Sequence, residues 1–319
     1  MIQVWVSLPW AGPGAYYGDA AEDKARQLEA LGVSGVVQGD HLFLPGPPPD
    51  DPLARMAADC LTVLTTVAAH SSHLGIATLV ANVGLGHPLP LLRRFANLAV
   101  IHGGARVYAG LGAGWSRAEF EAIGLPMPPH RVRLERLAET VRLARTLFDR
   151  GWVNEGGAHV HAVDVPLAPA PAEPPRLLLG GGSPGLLDLA AQFADHVDLA
   201  PPAHRRGDPF QRPLGTTIDD LAASATIARA GGRAPTTSIL VSAVAFCAER
   251  DVPAEEEAIC ARARLPWRAL GECPYALVGP PERVADQVQE RRERIGLDWI
   301  IVPESAIERF SAEVLPRLA

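Results

Sequence analysis

The strongest constraint on this chain's fold is a rhythm: eight short apolar runs, each followed by an amphipathic stretch of helical period. The runs fall at 3–8, 35–38, 74–80, 106–111, 176–179, 196–200, 239–246 and 299–302. The helical stretches fall at 20–31, 55–69, 88–102, 132–148, 184–193, 218–230, 281–295 and 306–318. The runs are continuously apolar rather than alternating, as expected of strands buried on both faces in a helix-covered parallel sheet. Eight such units in 319 residues predict an α/β fold, a closed (β/α)8 TIM barrel. A doubly wound sheet would carry phosphate-binding glycines after its first strand, where this chain has Ser7-Leu-Pro9. Three connections, 42–53, 151–175 and 247–279, exceed the usual loop length, and none reads as a linker, so residues 1–319 are expected to form a single domain.

Composition narrows the function. A net charge of −7 argues against nucleic-acid or anionic-membrane partners. No window holds about 18 unbroken apolar residues, so no membrane span is expected. The first residues read as a strand without the basic region of a signal peptide, which predicts a cytoplasmic location. Cys60, Cys247, Cys260 and Cys273 show neither CxxC nor metal-ligand spacing and read as inert thiols of a reduced compartment.

In a barrel the chemistry sits at the C-terminal ends of the strands. There the chain places Asp40-His41 after the second run, and Thr78-Leu79-Val80 with Asn82 after the third. The fourth run ends in Gly110-Leu-Gly112-Ala113-Gly114-Trp115, the fifth in Gly180-Gly181-Gly182-Ser183 and the sixth in Ala200-Pro201-Pro202. Glycines alternating along a strand exit let a backbone approach a flat or phosphorylated ligand, although tight packing selects them too. Gly180 to Ser183 open a helix, where unpaired N–H groups, the helix dipole and a serine hydroxyl favour a phosphate. His41 at a barrel mouth can polarise a carbonyl or move a proton near neutral pH, or it can simply bond to backbone. Trp115 either stacks on a planar ring or caps the barrel. His159-x-His161 and Asp195-His-Val-Asp198 look like metal ligands, but His159 and His161 fall in the loop before the fifth strand and Asp195 and His196 open the sixth, at the wrong end for catalysis, so no metal is expected. Arg131, Arg133, Glu135 and Arg136 at helical spacing read as a solvated, ion-paired face.

The segments Gly39-Asp-His-Leu42, Gly75-Ile-Ala-Thr-Leu-Val-Ala-Asn82, Gly110 to Gly124, Pro175 to Gly182, Leu277-Val-Gly-Pro-Pro-Glu282 and Gln289 to Gly296 occur in an order that resembles the luciferase-like monooxygenase superfamily. Within it the chain is most similar to the class using the deazaflavin coenzyme F420. That resemblance implies a bacterial luciferase-like TIM barrel, often a homodimer, that binds a flavin-like cofactor at its mouth. It implies catalytic roles for Asp40 and His41 beside the reactive ring, with Trp115 shaping the ring pocket. It also implies a non-prolyl cis peptide near Leu79-Val80 under the ring. Thr78, Leu79, Val80, Asn82, Gly112, Ala113 and Gly114 would line the ring, and Gly180, Gly181, Gly182 and Ser183 would hold the phosphate. The activity so implied is hydride transfer between deazaflavin C5 and a small organic substrate. An FMN-dependent monooxygenase on the same barrel and a non-catalytic ligand-binding barrel are the alternatives. The family's sugar-phosphate dehydrogenases carry a glutamate where Trp115 stands, which counts against a glucose-6-phosphate-type activity. Gly86, where relatives commonly have arginine, and His102-Gly-Gly-Ala-Arg106 before the fourth strand are further departures.

Overall fold

The computed structural model describes residues 2–9, 20–43, 57–201, 213–265 and 270–318. Most of the 42–53 connection, the start of the 55–69 stretch, Pro202 and part of the 247–279 connection lie outside them. Eight parallel strands form the barrel: β1 (Gln3–Ser7), β2 (Gly35–Gln38), β3 (Gly75–Thr78), β4 (Val107–Gly112), β5 (Arg176–Gly181), β6 (His196–Leu199), β7 (Thr236–Leu240) and β8 (Trp299–Pro303). Each pairs with the next, and β8 returns to β1 through Trp5 opposite Ile301, which closes the ring. The helices between them are α1 (Ala20–Ala30), α2 (Cys60–His70), α3 (Pro88–His102), α4 (Arg117–Ala122), α5 (His130–Arg150), α6 (Pro184–Phe193), α7 (Ile218–Arg229), α8 (Val252–Arg262), α9 (Pro281–Ile295) and α10 (Glu304–Glu313).

Local chemistry sets several boundaries. Helices α5 and α9 both end on glycines in the left-handed region, Gly151 and Gly296. Helix α7 starts on a capping box in which Thr217 and Asp220 satisfy each other's backbone N–H groups.

The lower interior of the barrel is filled with rings. Trp5 stacks on Trp299 at 4.0 Å, His196 stacks on the other tryptophan face at 3.5 Å, and Tyr108 meets both tryptophans edge-on. Gly35 and Gly75 face Trp5, and a Cβ at Gly35 would lie 2.6 Å from its ring. These two strands therefore lack side chains at this level because one tryptophan occupies their share of the interior.

The structure departs from the sequence expectation in three places. The 239–246 run is two strands: β7 stops at Leu240, and Ala243–Phe246 leaves the barrel to pair in parallel with Ala276–Gly279. One serine, Ser242, in an otherwise apolar run does not reveal that turn, which is set by the Ser242 and Ala243 N–H groups donating to Tyr275 O. The connection after this run therefore contains α8 and a strand rather than loop alone. The 151–175 connection contains an antiparallel hairpin, Trp152–Gly156 with His161–Pro166. Finally, the 74–80 run breaks after Thr78, where Leu79-Val80 is a cis peptide at the position the family resemblance implied. The chain then resumes as a two-residue strand, Ala81–Asn82, beside β4.

Candidate active site

The end of β2 supplies Asp40 and His41, and they do different work. Asp40 accepts the Asn82 N–H at 3.0 Å and a hydrogen bond from the Cys60 thiol at the start of α2. It thus ties β2, the segment after β3 and α2 together. Burial pushes its carboxyl pKa up and the Asn82 N–H opposes that.

His41 turns to the first helix after β4. Its Nδ1 lies 3.1 Å from Glu119 Oε1, and the same oxygen accepts the Leu42 N–H at 2.7 Å. The His41 side chain is 9% exposed and that of Glu119 3%. Burial alone would raise the Glu119 carboxyl, but hydrogen bonds from His41, Leu42 N and Ser116 outweigh it and hold the group below its ordinary value. The Trp115 indole stands edge-on to the imidazole, 5.6 Å between centroids. Sequence reasoning passed over Glu119, which stands in Arg117-Ala-Glu-Phe-Glu121 among ordinary helix residues. Its one sequence signal is its place in the first turn after the Trp115 corner, next to the buried Phe120.

The glycines at the strand exits have a reason the sequence could not disclose. Val80 projects inward after the cis bond between β4 and β5. A Cβ at Gly180 would lie 2.8 Å from Val80 Cγ1, and one at Gly112 would overlap Cγ2. Gly110 is held by Thr78, whose hydroxyl donates to Gly110 O at 2.8 Å and accepts Gly110 N–H at 3.0 Å. Gly114 has φ +75°, and a Cβ there would meet the Asn82 amide. Asn82 in turn accepts the Gly84 N–H at 2.9 Å. Ala113 and Leu79 pack partly buried against the core. These residues build the floor of the mouth before any ligand arrives.

At β5 the chain turns through Gly181 and Gly182 into α6. Gly182 backs onto the carbonyls of Ala200 and Pro201 at the end of β6, leaving no room for a side chain. Ser183 is the N-cap of α6, its side chain makes no capping bond, and Pro184 follows as a first-turn proline. The arrangement leaves N–H groups and a hydroxyl at a positive helix end, a set of donors suited to an anion.

Two expectations need correction. Of the charged residues at the start of α5, only Arg131 and Glu135 form the exposed pair, at 2.6 Å. Arg133 donates to Gly114 O and to Pro128 O, and Arg136 to Val83 O at 3.1 Å and Gly86 O at 2.6 Å. These two arginines brace the loops of the mouth. Gly86 is on the receiving side of that brace. The second correction concerns the His159–His161 segment, expected at the foot of the barrel. Its hairpin folds back along α5, so that Glu139 accepts the N–H groups of Ala158, His159 and Val160. His87, which caps α3, reaches His161 O at 2.8 Å. The hairpin tip thus rises along the outside of the barrel wall. Asp195 does lie at the foot, bonded to Leu177 N–H, Arg145 and Arg233. Among the described residues no cluster of three or more His, Cys, Asp or Glu is arranged to hold a metal. No helix of the described residues is long and apolar enough to cross a membrane.

The strand order closes into a (β/α)8 barrel, with His41 bonded to the buried Glu119 at one strand end and the glycine turn into α6 at another. The luciferase-like monooxygenase family model matches residues 4–275, and the chain belongs to that family. It is 30% identical over 174 residues to an F420-dependent glucose-6-phosphate dehydrogenase of Kineococcus radiotolerans, covering 54% of this chain and 50% of that one. It is 25% identical over 250 residues to an FMNH(2)-dependent dimethylsulfone monooxygenase of Pseudomonas fluorescens, covering 66% of this chain and 65% of that one. The matches thus span half to under two-thirds of these relatives' own lengths. In fold the chain is similar to an F420-dependent secondary alcohol dehydrogenase solved with an F420-acetone adduct, with a TM-score of 0.75 at 19% identity over 100% of this chain and 99% of that one.

Proposed function

We propose that this protein is an F420-dependent oxidoreductase that transfers hydride between deazaflavin C5 and a small organic substrate. The observation that carries it is His41 held through Nδ1 by the buried Glu119, beside Trp115. The mouth suits a planar ring: Leu79, Val80 and Leu240 give an aliphatic floor, and Gly182 and Ser183 offer donors for a phosphate. When bound, the deazaflavin supplies the carbon that accepts or gives hydride, and the protein supplies position and proton control.

Glu119 fixes the Nδ1–H tautomer of His41, so Nε2 is the nitrogen that exchanges a proton with substrate. For an alcohol, the O–H proton would pass to Nε2 as the C–H hydride passed to the bound deazaflavin, which would leave the carbonyl compound, the reduced cofactor and the imidazolium. Glu119 stabilises that cation in a site largely shut off from water. In the reductive direction the same imidazolium returns the proton to the forming alkoxide. Trp115 closes one wall of the ring pocket.

The FMN-dependent relative supports a second reading, a monooxygenase on the same scaffold. A side-by-side titration of the protein with the deazaflavin and with FMN, followed by tryptophan fluorescence, separates the two. Tighter deazaflavin binding, followed by loss of its oxidised absorbance with an alcohol donor, is the expected result. Preferential FMN binding with substrate-dependent oxygen uptake would replace the proposal with the monooxygenase.

A further inference from the structure

Level with Val80 of the aliphatic floor lies an acid that the scheme above does not use. Asp198 is on β6, in register with Gly180 of β5 and Ser238 of β7. Its neighbours Val197 and Leu199 face the helix layer, while His196, two residues below, stacks on Trp299 inside the barrel. Asp198 therefore points into the interior one layer above the aromatic plug. Asp198 is 8% exposed, against 0% for His196 and 2% for Trp299 in the plug beneath it.

Among the described residues its surroundings are neutral. Ser238 Oγ donates to Asp198 Oδ1 at 2.7 Å, the one hydrogen bond to this carboxyl among the described residues. No cation faces it there. Arg176 of β5 is spent on the Tyr108 hydroxyl at 2.9 Å, lower in the barrel. His196 is driven toward its neutral form by burial. Tyr275, from the segment before the Ala276–Gly279 strand, donates its hydroxyl to Leu199 O, and burial keeps it un-ionised. Ionising Asp198 would leave an uncompensated charge among rings and aliphatic groups. A carboxylic acid in such a site donates a hydrogen bond that a carboxylate cannot.

We propose that Asp198, set by Ser238, is a ligand-binding acid on the floor of the mouth that donates a hydrogen bond to the carbonyl-bearing edge of a bound planar heterocycle. The inference rests on the proposal that the mouth takes such a ring. Deprotonation of Asp198 removes the donor and places charge beneath the ligand, so binding weakens as the acid ionises. Burial raises this carboxyl to about 7, against a smaller downward pull from Ser238.

The test is the dissociation constant of FMN, and separately of the deazaflavin, at pH 6 and pH 8 for the wild type, D198N and S238A. With ionisation near 7, wild-type affinity is expected to fall about tenfold between those pH values. In D198N the amide still donates, and the part of the slope due to Asp198 disappears. In S238A the midpoint moves up, because the hydroxyl that favours the carboxylate is gone. A merely structural Asp198 would leave the slope and its midpoint where they are. An infrared difference between wild type and D198N without ligand should show a carboxylic-acid carbonyl band at pH 6 that titrates away by pH 8. Binding with the same pH slope in D198N, or no such band, would overturn this inference alone. Failure of both ring ligands to bind any of the three proteins would overturn it together with the proposed function.

Discussion

Gly180→Ala tests whether the strand-exit glycines serve the protein or its ligand. The new Cβ would lie 2.8 Å from Val80 Cγ1, against about 3.5–4.0 Å for carbon atoms in ordinary contact. Neither atom has an easy retreat. Gly180 is in β5, paired with Asp198 of β6 and one residue past the last pair with β4, and Val80 is pinned on its other face by Gly112. Overpacking of this kind costs about 1–3 kcal/mol. Val80→Ala removes both γ-methyls, at about 1.6 kcal/mol from the two lost carbons plus a further term for the space left. In the V80A background the clash is gone, and Gly180→Ala should become neutral or stabilising by about 0.5 kcal/mol, since alanine restricts the unfolded chain more than glycine. The double-mutant cycle therefore predicts a coupling of about 1–3.5 kcal/mol, measured by urea unfolding followed by tryptophan fluorescence. If G180A destabilises V80A as much as it does the wild type, Val80 is not the reason for the glycine. If G180A leaves stability intact and only weakens ring binding, the ligand is the reason, and the packing argument fails.

Four further outcomes follow from the same geometry. Glu119→Gln should lower turnover about 10²-fold while leaving cofactor affinity within about twofold, because it removes charge from behind His41 and not contact from the ring; an unchanged turnover would remove Glu119 from the mechanism. Because the folded protein holds the Glu119 carboxyl below its ordinary value, its contribution to stability is in place above the usual carboxylate range and is lost as pH falls through the lowered value, so E119Q should flatten that part of the stability–pH curve. Arg136→Ala should cost about 1–3 kcal/mol and speed amide exchange in the loop around Val83 and Gly86, measured by hydrogen exchange, whereas Arg131→Ala at the exposed pair should change stability by less than about 0.5 kcal/mol. Ser183→Ala should weaken FMN about tenfold, the worth of one hydrogen bond to a charged group, and leave riboflavin binding unchanged; equal losses for both ligands would move the phosphate elsewhere.

The barrel was legible because its signal is local: each strand announces itself by an unbroken apolar run and each helix by its own period. What local pattern cannot carry is the identity of the atom across the gap. Gly112 and Gly180 are visible in the sequence as glycines, but the methyl groups that exclude a Cβ there belong to Val80, 32 residues before one and 100 before the other. The same holds for charge. Arg131, Arg133, Glu135 and Arg136 look equivalent along a helix, yet only one of the three arginines pairs with the glutamate. The other two point at backbone carbonyls, which leave no mark in a sequence. Glu119 is the functional form of this limit. It and Glu121 differ by one residue of spacing, and only the folded position of His41 distinguishes the buried acid from the exposed one.

Giving the glycines to Val80 strengthens the case for a ring site. Were Gly112 and Gly180 left open for a ligand, the mouth would have a soft floor in the ligand-free protein, and binding would bear the cost of ordering it. Instead Val80 is clasped on both sides, Asp40 and Asn82 lock the segment that carries it, and Arg133 and Arg136 hold the flanking loops by their carbonyls. The floor is therefore built before binding, at a fixed height relative to His41, which Glu119 anchors independently. A hydride moves only between atoms brought into near contact, so under the proposed function a preset floor and a preset His41 would convert binding directly into alignment. The two anchors are separable by mutation. A weakened clasp at Val80 should loosen ring binding and turnover together, whereas a change at Glu119 should lower turnover and leave ring binding in place.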